Sequence, residues 1–374
     1  MTVWENLVGQ GPIVETLKRA IERDMTHAWL FTGPPGSGRS NVARAFAAAL
    51  QCEFGGCGEC NACRTSLSGA HPDVTLVRTD RLSIEVDEVR DHVRTASLQP
   101  SSGRWQVLVV EDADRLTEKA ADALLKTLEE PPPRTVWMLC APTAEDVVVT
   151  IRSRSRQVVL RTPPTGEVAQ MLVRRDGVDE TRALEAARAA QGHVGRARAL
   201  ATNHAVRGRR QEILAIPSSL DDLGACLSAA ANLNDAAQTH ASERAEEIDA
   251  GELGDLRSAW GVEDRGRRPT GYQGQLSALE RDQKRRRTRL ARDAIDGSLI
   301  DLMSLYRDVL AVQLGTNAEM VNVDVSDTVT ELAGRSEPEA TLGHLDAILE
   351  CREALTANAA PQLALERLMI RLAR

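Results

Sequence analysis

A glycine-rich stretch near the start of the chain, GPPGSGRS at residues 33–40, has the spacing of a phosphate-binding loop. In such a loop the glycines let backbone N–H groups converge on a phosphate at the start of a helix, while a hydroxyl ligates Mg²⁺. The candidate binding residues are Gly33, Gly36, Ser37, Gly38, Arg39 and Ser40. The spacing therefore predicts a nucleotide site, for ATP or ADP with Mg²⁺.

Arg39 stands where a phosphate-binding loop ordinarily carries lysine. Its guanidinium keeps the positive charge but is larger and planar, so phosphate binding can survive while tight placement of the γ-phosphate is disfavoured. The alternative is a glycine-rich turn that only retains the shape of such a loop. Both interpretations stay open on the sequence.

The acids of a nucleotide site should follow an apolar strand, and VLVVEDAD at residues 107–114 supplies Glu111 and Asp112. Hydrolytic enzymes of this type usually carry Asp and then Glu, for Mg²⁺ binding and for water activation. Here the order is reversed. Glu111 is one methylene too long for the metal shell, and Asp112 is one methylene too short to reach the attacking water. Because a displacement of about 1 Å can cost about 10²-fold in rate, we expect ATP hydrolysis to be absent or weak.

Four cysteines fall in the stretch CEFGGCGECNAC: Cys52, Cys57, Cys60 and Cys63. Tetrahedral Zn²⁺ takes four thiolates, and the intervening glycines allow the chain to wrap tightly around an ion. In a cytosolic chain a metal site is expected over disulfides. An iron–sulfur cluster also takes four thiolates and remains an alternative. Since the chain would fill all four positions, the predicted zinc site is structural.

The elements that must position these residues follow from the apolar pattern. Continuous apolar runs bounded by turn residues are typical of buried parallel strands. The predicted strands are 28–33, 74–78, 105–112, 135–141 and 156–161, and the predicted helices between them are 11–23, 39–51, 85–97 and 117–130. This alternation predicts a three-layer α/β domain with a parallel sheet over residues 1–161.

The remainder of the chain has an almost wholly helical pattern. A compact helical unit is predicted over 162–205 and a second, all-α domain over 206–374. Within the latter we expect polar loops over 205–295, of which the one at 261–275 looks mobile. The basic helix predicted at 284–292 indicates either a solvated face or contact with nucleic acid or an acidic partner.

Composition limits the function classes. The 374 residues carry a net charge of −8, which excludes a general basic coat for nucleic acid and leaves only local patches. Aromatic residues make up 3%, so the cores should be aliphatic and largely helical. No signal-peptide pattern and no membrane-spanning apolar run is apparent, so we expect a cytoplasmic chain without membrane contact.

Three further motifs carry a resemblance to a known family. They are ADALLKTLEEPP at 121–132, SGAHPDV at 68–74 followed by IEVDEVRDHV, and TIRSRS at 150–155; the terminal PQLALERLMIRL also fits. On these motifs the chain resembles the delta-prime family of bacterial DNA polymerase III clamp-loader subunits, which are AAA+ proteins. The resemblance covers essentially all of residues 1–205 and recurs at the C-terminal helices.

The resemblance implies a RecA-like AAA+ P-loop module that carries a zinc module at 52–63, followed by a helical lid and an all-α collar for oligomerisation. The predicted boundaries near 161 and 205 agree with that plan. It also implies a component of the DNA polymerase III holoenzyme that loads the sliding clamp on primed DNA during DNA replication. The implied partners are the delta and gamma/tau subunits, with the clamp and primer–template DNA inside the assembly.

The resemblance further implies a role for Arg154, the arginine of TIRSRS, a motif in which Ser155 replaces the family's cysteine. In the family this arginine projects into the ATP site of the next subunit, where a guanidinium supplied in trans stabilises the transferring phosphate. A surface arginine paired with a local acid is the alternative. The sensor-1 position falls near Pro142, which has no side-chain donor, and the sensor-2 position falls at Gly195 or Arg196.

We therefore expect a clamp-loader subunit that hydrolyses little or no ATP and completes a neighbour's site. An active clamp-loader ATPase of the gamma/tau type is the alternative, against which Arg39, the Glu111–Asp112 order and Pro142 all argue, as does the lack of a long extension after the collar. A zinc-dependent nucleic-acid-binding protein is a third possibility, which the acidic balance disfavours.

Overall fold

The computed structural model of this chain describes residues 2–79, 83–101, 103–259 and 272–373. The chain forms two compact units, Met1–Thr202 and Asn203–Arg374. The first unit is α/β and the second is helical. The helices that follow residue 161 belong to the first unit, and their separation as a lid domain remains a prediction.

One parallel sheet organises the first unit. Its strands, β1 (Ala28–Thr32), β2 (Val74–Val77), β3 (Gln106–Val110), β4 (Thr135–Ala141) and β5 (Arg156–Val159), lie in the order β2-β3-β4-β1-β5. All five predicted strands are present, and all except β4 are shorter than predicted. Because β1 lies between β4 and β5, the loop that follows it emerges in the interior of the sheet and not at an edge.

Nine helices of the first unit fall within its described residues. They are α1 (Gly11–Glu22), α2 (Arg39–Gln51), α3 (Asn61–Ser68), α4 (Val86–Ala96), α5 (Glu118–Glu129), α6 (Val149–Arg152), α7 (Thr165–Asp176), α8 (Glu180–Ala189) and α9 (Val194–Thr202). The four helices predicted between the strands are confirmed to within one residue at each end. Helix α3 was not predicted, because the cysteine-rich stretch before it shows no helical periodicity.

The sheet is covered on both faces, which confirms the three-layer α/β class. On β1, Trp29 and Phe31 pack on the side of α1 and α2, whereas Leu30 packs on the side of α4 and α5. This alternation is what a strand's two-residue side-chain period requires. Trp29 meets Phe46 of α2 edge to face, with ring centroids 5.1 Å apart. Helix α2 otherwise buries mainly alanines, which allow it to lie close to the sheet.

The second unit contains α10 (His204–Ala215), α11 (Leu223–Ala259), α12 (Tyr272–Gln313), α13 (Ser326–Arg335), α14 (Pro338–Thr356) and α15 (Pro361–Leu372). Its main core forms between α11, α12, α14 and α15. Most of the polar loops expected over 205–295 are replaced by α11 and α12, so that prediction is wrong for the described residues. Of the predicted loop at 261–275, residues 272–275 belong to α12 and the rest lie outside the described residues.

The basic run at 284–292 lies within α12, as predicted. Arg286 donates to Asp249 and Glu252 of α11, at 2.9 and 2.6 Å, and Arg287 donates to the second oxygen of Asp249 at 2.7 Å. Two of the basic side chains therefore hold α11 and α12 together.

Among the described residues, every helix is too short or too polar to cross a membrane.

Candidate nucleotide and metal sites

The glycine-rich loop joins β1 to α2, which is the strand–loop–helix setting that its motif requires. Gly36 and Gly38 have φ of 82° and 90°, in the left-handed region that favours glycine. A Cβ at Gly36 would lie 2.5 Å from the Cβ of His193, so no larger residue fits there. Gly38 directly precedes α2, whose first N–H groups and dipole favour an anion at this end. The backbone therefore keeps the form of a phosphate cradle.

Three side chains of the loop bear on whether a phosphate fits. The guanidinium of Arg39 donates to the carbonyl oxygen of Gly33 at 2.9 Å, so it folds back on its own loop. The Ser37 hydroxyl is buried and has no hydrogen-bond partner in the described part of the chain. A buried unpaired hydroxyl is costly and is satisfied by an acceptor such as a phosphate oxygen. Ser40 lies half-buried in the first turn of α2. The cradle thus fits a phosphate group.

Glu111 and Asp112, the acids expected to bind Mg²⁺ and to activate water, fit a metal ion less well than the loop fits a phosphate. One oxygen of Glu111 accepts from Nε and Nη2 of Arg44, at 2.8 and 2.5 Å, and the other accepts from Nε of Arg78 at 2.7 Å. A divalent cation at this carboxylate would have to displace a guanidinium and would sit beside two positive charges. Asp112 directly precedes a short 3₁₀ turn, Ala113–Arg115. Sequence reasoning missed Arg44 and Arg78, since neither has a motif around it.

The segment that precedes α9 lies against the loop. His193 covers Gly36, and its Nδ1 accepts from the backbone N–H of Arg196 at 3.2 Å. Burial, followed by the nearby charge of Arg196, lowers the pKa of His193, which favours the neutral ring. Both candidates for the sensor-2 position, Gly195 and Arg196, thus lie in the first turn of a helix that starts at the phosphate loop.

Pro142 follows β4 and meets the loop through its backbone. Its carbonyl oxygen accepts from the N–H of Gly33 at 3.0 Å. As expected for proline, the residue offers no polar side chain at this position.

Arg154 lies just after α6 and is about one-third exposed. Its Nη2 lies 2.6 Å from Oε1 of Glu129 at the end of α5, and its Nη1 donates to the carbonyl oxygen of Thr150 at 2.9 Å. The structure therefore joins two of the family-like motifs, ALLKTLEEPP and TIRSRS, through one ion pair. Glu129 is thus a local acid of the kind expected if Arg154 is a surface arginine paired within its own chain.

The four cysteines of the predicted metal site come together at the ends of two helices. Cys52 ends α2 and Cys60 begins α3. The four sulfur atoms all lie within 4.8 Å of one another, and Cys52 Sγ is 3.7 Å from Cys57 Sγ and 3.8 Å from Cys60 Sγ. Ligands about 2.3 Å from one tetrahedral ion lie about 3.8 Å apart. An iron–sulfur cluster would hold the sulfurs on separate irons and hence farther apart. The spacing therefore fits a single ion.

Backbone N–H groups are directed at these sulfurs. Cys52 Sγ accepts from the N–H groups of Phe54 and Cys57 at 3.3 and 3.4 Å, while Cys57 Sγ accepts from Cys60 at 3.4 Å. Burial opposes ionisation of Cys52, but the backbone hydrogen bonds outweigh it and lower the pKa of its thiol to about 6. Burial raises the pKa of Cys63 instead. A cation would stabilise all four thiolates at once, which no hydrogen bond here does.

Asp73, in the SGAHPDV motif, is a structural residue that sequence reasoning did not single out. Its buried carboxylate accepts from the N–H and hydroxyl of Ser101, at 2.6 and 2.8 Å, and from the N–H of Gly103 at 2.5 Å. Gln51 accepts from the N–H of Arg104 at 2.9 Å. The motif therefore fixes the segment that leads into β3, the strand that ends in the acids.

Comparison with protein families places these features in a known group. Residues 9–164 match the family model described as DNA polymerase III, delta subunit, and residues 288–374 match the model for the C terminal of that subunit. The first match contains the glycine-rich loop, the cysteines, the paired acids and Arg154. The second contains the last part of α12 and all of α13–α15.

Curated relatives agree with these matches. The chain is 36% identical over 160 residues to DNA polymerase III subunit tau of Bacillus subtilis, covering 41% of this chain and 28% of that protein. It is 35% identical over 165 residues to subunit delta' of Pseudomonas aeruginosa, covering 42% and 50%. Against subunit tau of Escherichia coli it is 31% identical over 232 residues, covering 58% and 36%. The chain thus spans half or less of the length of these relatives.

Among solved structures, a DNA polymerase III gamma subunit-related protein of Thermotoga maritima is similar over 96% of this chain and 98% of that chain. The sequence identity is 18% and the TM-score is 0.42.

Proposed function

This chain belongs to the family of DNA polymerase III clamp-loader subunits, and we propose that it acts in that assembly as a subunit of the delta-prime type. In this role it hydrolyses little or no ATP itself. It supplies Arg154 in trans to the ATP site of a neighbouring subunit, and it helps to load the sliding clamp on primed DNA during replication.

The observation that carries the proposal is the engagement of Glu111 by Arg44 and Arg78 on both of its oxygens. A carboxylate held in this way is not free to bind Mg²⁺ or to activate water. The phosphate cradle remains, with Ser37 and Ser40 as the hydroxyls that would meet a phosphate and Arg39 as the cation. These residues would hold ATP or ADP, and Mg²⁺, where present, would neutralise charge between the phosphates.

The proposed trans role is supported by the exposure of Arg154. Its partner Glu129 is about half exposed, and an ion pair between exposed groups contributes only about 0–1 kcal/mol. The guanidinium can therefore leave Glu129 for a phosphate at small cost. Arginine is suited to this task because it stays charged and presents a planar fork of donors.

Arg154→Ala tests the proposal in a complex reconstituted with the delta and gamma/tau subunits of the same organism. Loss of a trans arginine costs roughly 10³–10⁵ in rate at the site it serves. We therefore expect the DNA-dependent ATPase rate of the complex to fall by the amount that the site served by Arg154 contributes. The thermal stability of the isolated variant should stay close to that of the natural chain.

Arg152→Ala is the matched control, because Arg152 lies in the same motif, on α6, and its nearest acid, Glu145, is 3.6 Å away. It should leave the ATPase rate unchanged. An unchanged rate in Arg154→Ala, with the complex intact, would remove the trans role.

For the cysteines we propose a structural Zn²⁺ site in which Cys52, Cys57, Cys60 and Cys63 supply the four ligands. The sulfur spacing supports a single tetrahedral ion. With every coordination position filled by thiolate, the ion would have no open position for substrate and would act by holding the ends of α2 and α3 together.

The partners proposed are the delta and gamma/tau subunits, with the clamp and primer–template DNA as ligands of the assembled complex. Family membership supports them, since its relatives are subunits of DNA polymerase III. Work on replicating DNA also implies a cytoplasmic location in a bacterium.

An active ATPase of the gamma/tau type is the second candidate, and the identity to tau subunits favours it. Calorimetric titration of ATP and ADP with Mg²⁺, followed by a turnover assay on the same sample, separates the two. Turnover by the isolated chain would establish the second candidate.

A further inference from the structure

Residues 2–10, which we call the strap, lie before α1 and touch several parts of the first unit. Val3, Trp4 and Leu7 are buried in the same core cluster as Cys52 and Cys63. At its other end the strap reaches the glycine-rich loop. No motif in the strap predicts these contacts.

One end of the strap is bonded to the cysteine module, residues 52–63. The N–H of Val3 donates to the carbonyl oxygen of Gly56 at 3.0 Å, and the indole N–H of Trp4 donates to that of Gly55 at 3.0 Å. Both acceptors lie between Cys52 and Cys57, whose turn an ion would hold. A Cβ at Gly56 would lie 2.6 Å from Val3, so the turn and the strap are in close contact.

The other end is bonded to the phosphate loop through Gln10, which is 2% exposed. Its Nε2 donates to the carbonyl oxygen of Ser37 at 3.4 Å and to that of Arg161, after β5, at 2.8 Å. Its Oε1 accepts from the N–H of Arg161 at 3.4 Å. Gln10 therefore spans the phosphate loop and the segment that leads towards α7.

The two ends are linked by a run of tight turns. The N–H of Leu7 donates to the carbonyl oxygen of Trp4 at 3.1 Å, and the N–H of Gln10 donates to that of Leu7 at 3.3 Å. Consecutive hydrogen-bonded turns, with Trp4 and Leu7 buried, leave the strap little freedom to absorb a movement at one end.

We propose that Trp4 and Gln10 are positioning residues through which the cysteine module, when it holds its ion, keeps the phosphate loop in place. The inference rests on the metal site and the phosphate cradle proposed above. The ion would order the turn at Gly55 and Gly56, this turn fixes the strap, and Gln10 fixes the carbonyl of Ser37. Loss of the ion then loosens a loop that contains none of its ligands.

Helix α2 offers a competing route, because it runs from the loop directly to Cys52. Its inner residues are almost all buried against the sheet, so the helix is held along its whole length by contacts that do not involve the ion. The hydrogen bonds that join the strap to the cysteine module and to the phosphate loop are made at its two ends. Changes confined to the ends of the strap therefore distinguish the two routes.

The test is hydrogen–deuterium exchange of the full chain, loaded with Zn²⁺ and then stripped with a chelator under reducing conditions, after its metal content has been measured. In the natural chain we expect stripping to speed exchange in residues 52–63, in the strap and also in 33–40, by at least roughly threefold in the last segment. Gln10→Leu and Trp4→Phe each break one end of the strap, and Glu5→Gln is an exposed control within it.

In Gln10→Leu and Trp4→Phe, stripping should still speed exchange in 52–63, but the metal-dependent change in 33–40 should disappear. Glu5→Gln should behave as the natural chain does. A merely structural role for Gln10 would raise exchange in 33–40 equally with and without Zn²⁺ and leave the difference unchanged. That result would overturn the inference. It would also be overturned if exchange in 33–40 of the natural chain did not respond to stripping, or if the chain bound no metal. The ATPase test of Arg154 does not depend on any of these outcomes.

Discussion

Glu111 is the residue whose surroundings change the interpretation of the nucleotide site most. A carboxylate at the end of this strand is expected to serve a metal ion, but here it is bound by one guanidinium from α2 and another from the end of β2. Its side chain is 13% exposed and that of Arg44 is 19% exposed, while Arg78 is about half exposed. The acid thus acts as an internal anchor between three elements.

Glu111→Gln should lower the stability of the first unit. Breaking a buried ion pair costs about 3–5 kcal/mol, and the exposure of Arg78 reduces this, so we expect a loss of about 2 kcal/mol. For a unit of this size that corresponds to a fall in Tm of about 5 °C. Differential scanning calorimetry of the isolated chain measures it.

Glu22→Gln, on the exposed end of α1, is the control and should leave Tm unchanged. If Glu111→Gln is as stable as the natural chain, the carboxylate is not an anchor, and its role as a metal ligand would again be open.

The residues that carry chemistry were predictable to different degrees. The glycines and cysteines were found because their function depends on local spacing, which one sequence displays directly. Arg44 and Arg78 were not found, because they reach Glu111 from positions 67 and 33 residues away. A pairing of this kind depends on strand order and helix placement, which local patterns do not specify.

Among the elements, the strands were predicted because each is a short continuous apolar run. The predicted strands ran one or two residues too far, for example into Arg78 and Glu111, which follow β2 and β3 and pair with each other. The helices α11 and α12 were partly mistaken for loops because their polar faces hide the periodicity. The two helices pack through apolar residues in the main core of the second unit, and the pairing of Asp249 with Arg286 and Arg287 adds to this packing.

The cysteine module is the element whose stability should depend on metal. Cys60→Ser removes one of four ligands and the sulfur that caps α3. We expect the zinc content of the purified chain to fall from about one ion to well under half, with faster proteolysis within residues 52–68. Elemental analysis and limited proteolysis measure the two effects.

Cys226→Ala, a change at a buried cysteine of the second unit, should retain the full metal content. Cys60→Ser should leave ATP turnover by the intact partner subunits unchanged. A natural chain purified without any metal would contradict the zinc assignment.

On the scale of the whole chain, the second unit contains a charge network whose central arginine is almost fully buried. Arg210 of α10 is 5% exposed and donates to Asp301 at 3.0 Å, to Asp324 at 3.1 Å and to Asn322 at 2.5 Å. Nearby, Asp308 accepts from the N–H groups of residues 321 and 322. The segment before α13 is therefore held to α10 and α12 by charge.

Arg210→Ala should destabilise the second unit by about 3–5 kcal/mol, since it removes the buried guanidinium that Asp301, Asp324 and Asn322 share. Faster hydrogen exchange should be confined to residues 203–374. Arg209→Ala, at the adjacent and more exposed position, should have little effect. Equally faster exchange in both units would contradict a role of Arg210 that is confined to the second unit.

The family models leave residues 165–287 unmatched. This interval contains α7–α11 and the first part of α12, so the sequence resemblance could not specify how long the helical pair would be. The basic residues at 284–292 could not be assigned partners from the sequence, because Asp249 and Glu252 lie more than 30 residues away on α11.

The anchor at Glu111 also has a consequence for protein engineering. It limits how an ATPase site could be engineered into this loop. Arg39→Lys changes the loop alone, because Glu111 stays engaged by Arg44 and Arg78 on both of its oxygens. Freeing this carboxylate for a metal ion would remove the ion pairs that join α2 to the ends of β2 and β3. A redesigned site would therefore need a second set of changes that restores the lost stability.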